Sequence, residues 1–96
     1  KVGGIFSCSG NNLTSLKGAP EYVGKDFYCS NNKLTSLKGA PKHVGGDFYC
    51  NNNNLTTLKG TLKYVGGNFY CSGNNLDYTG REIEKIIKID GYIVGL

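Results

Sequence analysis

Several features are scarce in this sequence of 96 residues. It contains no Met, two Pro and one His. No apolar run approaches the roughly 20 residues that a membrane-spanning helix needs, and we find no secretory signal pattern. Because Met is missing and the chain starts at Lys1 inside a repeat, we expect a fragment or a processed form of a longer protein.

Charge is also limited, with a formal net charge of +4 at pH 7. This excess permits weak attraction to anions but is far from that of a basic nucleic-acid-binding tail. The 15 Gly would suggest disorder if they were scattered. They recur instead at fixed positions, which is typical of turns.

The sequence is dominated by a repeat of 21 residues. Cys8, Cys29, Cys50 and Cys71 mark its interval, and segments 23–43 and 44–64 are identical at 14 of 21 positions. Such self-similarity indicates a solenoid, in which each unit buries its apolar side against its neighbours. The shared motif is F-x-C-x-x-N-x-L-x-x-L, in which Thr79 replaces the last Leu of the fourth unit. Its structural positions are Phe6, Phe27, Phe48 and Phe69, the four Cys, and Asn11, Asn32, Asn53 and Asn74.

Alternation in Phe-x-Cys predicts a short strand with both side chains inward. We expect the Asn side chains to be buried and to bond backbone groups at the turn that follows. Stacked Cys would lie about 4.8 Å apart with parallel side chains, whereas a disulfide needs Cβ atoms near about 3.8 Å that point at each other. We therefore predict free, buried thiols and a reducing, cytoplasmic location.

These motifs resemble the leucine-rich repeat family, and the unit length is similar to the short bacterial and bacteriophage type. The resemblance covers roughly residues 2–79. It implies a right-handed parallel β-solenoid with four Cys-containing strands on its concave side, and it implies ligand or protein binding rather than a reaction. The Val-Gly-Gly and Lys-Gly-Ala-Pro stretches are interpreted as turns with glycines at positive φ.

The period breaks after Leu76, so residues 80–96 are interpreted as a C-terminal cap on the same domain. Thr79 and Glu82 fit a capping box that opens a helix over about 80–89, with Asp90-Gly91 at its end. A fifth strand is expected at about 92–94, with Tyr92 and Val94 inward. The alternative is a hairpin through Asp90-Gly91.

Positions beside each Cys are expected to face outward and to form the binding surface. Tyr supplies contact area with a polar tip at low entropic cost, although Tyr is also simply a good strand former. The candidate binding residues are Tyr28, Tyr49, Tyr70, Asp26, Asp47, Asn51 and Asn68.

Other chemistries have weaker support. Asp26 and Asp47 would be neighbours able to hold a cation or exchange protons, but no converging base is evident. A straight row of Cys without C-x-x-C does not supply a zinc tetrahedron. The row Lys17, Lys38 and Lys59 is typical of a solvated face, which makes nucleic-acid binding the less favoured reading. We predict no catalytic residue, metal or cofactor.

The leading functional prediction is a noncatalytic module that binds another protein through its concave, Tyr-rich strand face. One alternative is a structural or assembly segment of a larger protein or particle. Self-association through the uncapped N-terminal end would fit that reading, because Phe6 and Leu13 would be exposed there. A second alternative is the substrate-recognition part of an enzyme whose catalytic domain lies elsewhere.

Overall fold

A computed structural model describes all 96 residues. The chain winds into a parallel β-solenoid of about four turns, and we call each turn a coil, numbered 1 to 4 by its Cys. In chain order the elements are β1 Phe6–Ser7, β2 Tyr22–Val23, β3 Phe27–Tyr28, β4 His43–Val44, β5 Phe48–Tyr49, β6 Tyr64–Val65, β7 Phe69–Tyr70, α1 Gly80–Glu84, β8 Lys88–Ile89 and β9 Ile93–Val94.

The strands form two parallel sheets rather than the one that the sequence predicts. The five-stranded sheet has the order β1-β3-β5-β7-β9, and the four-stranded sheet has the order β2-β4-β6-β8. Pairing follows the sequence period, with Phe27 opposite Phe48 and Val23 opposite Val44. The Val positions interpreted as turns are therefore strands, because Val packs inward while the preceding residue points outward.

Gly-Gly pairs form the corner between the two sheets in coils 1, 3 and 4, for a reason other than positive φ. A Cβ on Gly45 would collide with the carbonyl oxygen of Gly24, and one on Gly67 would collide with the Asp47 side chain and the backbone of Gly46. Close approach between coils thus requires glycine here. Positive φ does occur in the Lys-Gly stretches, at Gly18 (91°) and Gly39 (87°).

The turn after each Cys also has a fixed backbone requirement. The second residue after Cys has φ of 57° at Asn31 and Asn52, and of 72° and 71° at Gly10 and Gly73. Gly and Asn are the residues that adopt this left-handed conformation most readily. Their alternation at one repeat position therefore has a steric cause.

The core lies between the sheets and the return segments. Phe27, Phe48 and Phe69 are fully buried, and adjacent rings of the Phe series stack with centroids 5.3 to 5.6 Å apart. Leucines from the return segments fill the remaining space, so that every inner coil buries an equivalent set. This set includes Leu34, Leu37, Leu55 and Leu58.

An Asn ladder links the loop that follows each Cys to the preceding coil. Asn53 donates Nδ2 to the carbonyls of Cys29 and Cys50, both at 3.0 Å, and its Oδ1 accepts from the Leu34 backbone at 3.1 Å. Asn32 repeats this arrangement and is likewise buried. Asn74 makes the same bonds while half-buried, and Asn11, in the first coil, is exposed.

The C-terminal region differs from both sequence-based interpretations. Helix α1 starts at a capping box of Thr79 and Glu82 but ends at Glu84, five residues later. Strand β8 then occupies positions expected to be helical and pairs with β6, whereas β9 pairs with β7. The Asp90-Gly91 pair is therefore the corner between two sheets, neither a helix end nor a hairpin turn.

The inward residue of the last strand was also predicted wrongly. Ile93 lies opposite Phe69 and packs against the core, while Tyr92 is 78% exposed and Val94 42% exposed. The spacing from Phe69 to its partner is 24 residues, because the segment containing α1 is longer than an ordinary return. Helix α1, at five residues, falls far short of the length needed to span a bilayer.

Candidate functional site

The outward face of the five-stranded sheet carries the tyrosine row, which we define as Tyr28, Tyr49 and Tyr70. Their rings stack in parallel with centroids 4.4 and 4.6 Å apart, and each is half-buried. In-register strands impose this stacking, because equivalent side chains repeat at the strand spacing. The row ends beside Ser7 in coil 1 and beside Val94 in β9.

A ladder of acidic and amide side chains, which we call the corner ladder, runs beside the tyrosine row. Asp26 Oδ1 accepts from the backbone N–H of Asp47 at 2.8 Å, and Asp47 Oδ1 accepts from that of Asn68 at 2.7 Å. Asn68 Oδ1 in turn accepts from Tyr92 at 2.8 Å. These side chains therefore satisfy backbone donors where the chain turns between sheets.

The corner ladder also holds the tyrosine hydroxyls. Tyr28 donates to Asp26 Oδ2 and Tyr49 donates to Asp47 Oδ2, each at 3.3 Å. At the third position the polarity is reversed, since Asn68 Nδ2 donates to the Tyr70 hydroxyl at 3.1 Å. Every hydroxyl of the row is thus oriented by a side chain two residues earlier, which fixes the ring edges that face the solvent.

Tyr49 has a distinct electrostatic environment because it is the middle ring. Burial, and then the negative charge of Asp47, raise the pKa of its phenol well above the usual range. Its hydroxyl therefore remains protonated, and so remains a donor, throughout the neutral range.

A row of small polar residues lies on the other side of the tyrosines. Ser30 is buried and donates to Asn51 Oδ1 at 2.6 Å. The predicted binding residue Asn51 is therefore engaged in a hydrogen bond within the sheet. Ser9 Oγ, the equivalent atom in coil 1, is buried without a hydrogen-bond partner. The side chains flanking the tyrosines are therefore largely committed to the structure, and the tyrosine edges are the available groups.

A second aromatic row, whose residues the sequence identifies as one repeat series but not as a strand, lies outward on the four-stranded sheet. This mixed row comprises Tyr22, His43 and Tyr64, stacked at 4.6 and 4.7 Å. Lys1 Nζ lies 5.0 Å from the Tyr22 ring centroid, and Lys88 Nζ lies 5.8 Å from that of Tyr64. The available signal was the aromatic residue recurring before each Val, an outward–inward alternation typical of a strand.

The Tyr64 hydroxyl is fixed by a different contact. It donates to Asp90 Oδ2, and this hydrogen bond, followed by burial, raises the phenol pKa. Asp90 also forms the one salt bridge of the structure, with Lys88 at 3.7 Å, and both side chains are exposed.

Neither concavity of the molecule lies beside the tyrosine row. One, of about 170 Å³, opens at the coil 1 end and is apolar, with Phe6, Leu13 and Leu16 in its lining. The other is a depression of about 480 Å³ on the return segments, lined by Ser15, Lys17, Lys38, Gly39 and Thr61. The tyrosine row therefore lies outside both concavities.

The cysteines are all free and lie against the core. Cys29, Cys50 and Cys71 are buried, while Cys8 in coil 1 is half-buried. Burial raises the pKa of each thiol, to about 11 for Cys71, which disfavours the nucleophilic thiolate. No three His, Cys, Asp or Glu side chains converge as a metal-binding group.

No protein family, curated protein or solved structure matches the chain.

Proposed function

We propose that the chain is a noncatalytic module that binds another protein through the tyrosine row. The observation that carries this proposal is the orientation of three adjacent phenols on one sheet face, because each hydroxyl of the row is held by a side chain of the corner ladder. Aromatic rings with a polar tip are enriched at protein interfaces, where they supply contact area at low entropic cost.

The shape of the surface favours a macromolecular ligand. Small molecules generally bind in concave sites that enclose most of their surface, and neither concavity includes a tyrosine of the row. A row of ring edges outside any concavity instead suits the surface or an extended segment of a partner protein. Asp26 and Asp47 add negative charge along one side of this row.

A capture experiment tests the proposal. The chain and its Tyr28→Ser, Tyr49→Ser, Tyr70→Ser triple variant would be immobilised and exposed to extract from the native source. Any captured protein would then be purified and titrated against both by calorimetry. We expect the triple variant to fold and to lose binding by at least about 100-fold, since anchoring aromatics can each contribute 2 kcal/mol or more.

The mixed row provides a matched control. The Tyr22→Ser, His43→Ser, Tyr64→Ser variant removes the same number of stacked rings from the other sheet, so losses through general destabilisation should be similar. We expect it to retain partner binding. Equal loss in both triple variants, or full binding by the tyrosine-row variant, would overturn the proposal.

An assembly role is a second candidate, favoured by the distribution of apolar surface. The core residues that remain partly exposed all belong to the two ends of the solenoid: Phe6, Cys8, Leu13, Ala19, Leu76, Tyr78, Ile86 and Ile93. Apolar sheet ends promote association. Self-association through the N-terminal end would appear in sedimentation as a concentration-dependent mass that Leu13→Lys reduces. A monomer at all concentrations would rule this out.

We further propose that the solenoid is a leucine-rich repeat of the short bacterial or bacteriophage-like type, working in a reducing compartment. The support is F-x-C-x-x-N-x-L in every coil together with free thiols. We also propose that α1 acts as a C-terminal cap, because Ile83 from this helix is fully buried against the core.

A further inference from the structure

The two ends of the tyrosine row differ from the rest of it. Within the row each ring face is covered by the next ring, so a partner reaches only the edges. At the coil 1 end, the register position next to Tyr28 is Ser7, whose side chain is too small to cover the ring. One face of Tyr28 is therefore left without a stacking neighbour.

The mixed row shows what occupies the equivalent position elsewhere in this molecule. Lys88 is the register neighbour of Tyr64, and its ammonium lies over the ring. Lys1 precedes Val2, which pairs with Val23, and its ammonium lies over Tyr22 in the same way. Both terminal ring faces of that row are thus covered by cations, as expected from attraction between a cation and the electron-rich ring face.

Negative charge lies beside Tyr28 without a cation to balance it. Asp26 Oδ2 accepts the Tyr28 hydroxyl at 3.3 Å, and no Lys or Arg of the chain forms a salt bridge with this carboxylate. In coil 1 the corresponding residue is Ile5, which is 58% exposed. The space above Ser7 is therefore bordered by the open ring face of Tyr28, the carboxylate of Asp26 and the exposed side chain of Ile5.

At the opposite end of the row these features are missing. Val94 covers part of the space next to Tyr70, and the adjacent member of the corner ladder is the neutral Asn68. Charge and an open ring face coincide only at Tyr28.

We propose that the space above Ser7 is a slot for an arginine side chain of the partner protein, an inference that rests on the tyrosine row being the binding surface. The planar guanidinium stacks on the open face of Tyr28 and donates to the carboxylate of Asp26. Guanidinium suits this position because it is planar, stacks on aromatic faces and pairs with carboxylates. The partner's arginine thus takes the place that a fourth tyrosine would occupy.

A peptide titration followed by amide chemical shifts in nuclear magnetic resonance tests the slot directly. The probes are acetylated, amidated Gly-Arg-Gly and its Gly-citrulline-Gly and Gly-Lys-Gly analogues. We expect the arginine peptide to bind in the millimolar range, with shifts centred on Ser7 and Tyr28. The uncharged citrulline and non-planar lysine peptides should bind at least about threefold more weakly. Equal binding of either analogue would overturn the proposal.

Two substitutions at the same position make the test specific. Ser7→Tyr should extend the stack, fill the slot and abolish the arginine-dependent shifts, whereas Ser7→Ala leaves the slot open and should preserve them. Asp26→Asn removes the charge but keeps the Oδ1 acceptor for the Asp47 backbone N–H, and its Nδ2 can donate to the Tyr28 hydroxyl as Asn68 does to Tyr70. This variant should weaken binding by about fivefold. Shifts that persist in Ser7→Tyr would refute the slot.

The outcomes separate this inference from the proposed function. Partner binding that needs the tyrosine row but is unaffected by Ser7→Tyr would show that the surface is right and the slot wrong. Partner binding that survives loss of all three row tyrosines would overturn the proposed function whatever the peptides do.

Discussion

The two aromatic rows of this solenoid arise from the same geometry and differ in what surrounds them. Both consist of three rings stacked at 4.4 to 4.7 Å on successive parallel strands. The tyrosine row is linked by hydroxyl contacts to the corner ladder, and its ends meet Ser7 and Val94. The mixed row is held only at Tyr64, by Asp90, and its ends meet lysines.

This difference shows that stacking alone is not evidence of function. Any aromatic residue at a fixed position of a parallel repeat stacks on its copies, because the strand spacing is close to the distance between stacked rings. What distinguishes the tyrosine row is its support and its open end. The mixed row is closed at both ends by the chain's own cations and so leaves no terminal ring face open.

Of the changes beside the two rows, Asp47→Ala should lower the free energy of unfolding the most. It removes the acceptor for the Asn68 backbone N–H and for the Tyr49 hydroxyl. A half-buried donor left without a partner destabilises by about 1–3 kcal/mol, which chemical denaturation would measure as a fall in the free energy of unfolding.

Asp90→Ala is the matched change beside the mixed row. It removes exposed contacts to Tyr64 and Lys88, and exposed pairs contribute about 0–1 kcal/mol. Asp47→Asn should recover most of the loss at the corner, because Asn68 already fills this position in the next coil. Equal effects of the two Ala substitutions would mean that the corner ladder gives the tyrosine row no special support.

The sequence predicts the solenoid well because one 21-residue period forms one coil. Residues one period apart are therefore partners in the strand register. Phe, Cys, Asn and Leu recur every 21 residues and are placed in equivalent positions of successive coils. The four-stranded sheet was missed because its first three strands are each followed directly by glycine, a pattern shared with turns. Their pairing depends on neighbouring coils rather than on local preference.

The ends of the chain were less predictable for a related reason. Without a following repeat, the register of β9 could be inferred only from spacing, and the longer segment around α1 shifted it so that Ile93 rather than Tyr92 packs inward. The tyrosine row itself was identified from alternation. The hydrogen bonds that commit Asp26, Asp47 and Asn68 to the backbone depend on distances between coils, which composition does not encode.

Alkaline pH should lower the stability of the protein through the Tyr49 phenol, by less than Asp47→Ala does. Burial and Asp47 raise its pKa above the ordinary value of 10.0, so folding favours the neutral phenol. The resulting stabilisation is fully present below about pH 10 and is lost as the pH rises toward the folded-state pKa. Denaturation curves from pH 8 upward should therefore show a steeper loss of stability in the wild type than in Tyr49→Phe.

The buried thiols act in the same direction, because their pKa values are also raised. Their contribution is common to the wild type and to Tyr49→Phe, so the difference between the two curves isolates the phenol. Superimposable slopes would show that Tyr49 titrates no differently when folded.

His43→Tyr should have the smallest effect on stability and the clearest meaning. It gives the mixed row three tyrosines, stacked on the strands that already hold Tyr22 and Tyr64. A whole cross-strand aromatic pair contributes about 0.2–1 kcal/mol, and His43 already stacks on both neighbours. The larger ring should therefore add only a fraction of that energy, seen in thermal denaturation as a small rise in Tm. The row would then match the tyrosine row in composition but still lack the corner ladder and an open ring face. We therefore expect no new partner binding and no new arginine-dependent shifts near Tyr22. Binding gained by this substitution would show that a stack of three tyrosines is sufficient, and that neither the carboxylates nor the slot above Ser7 determines which surface acts.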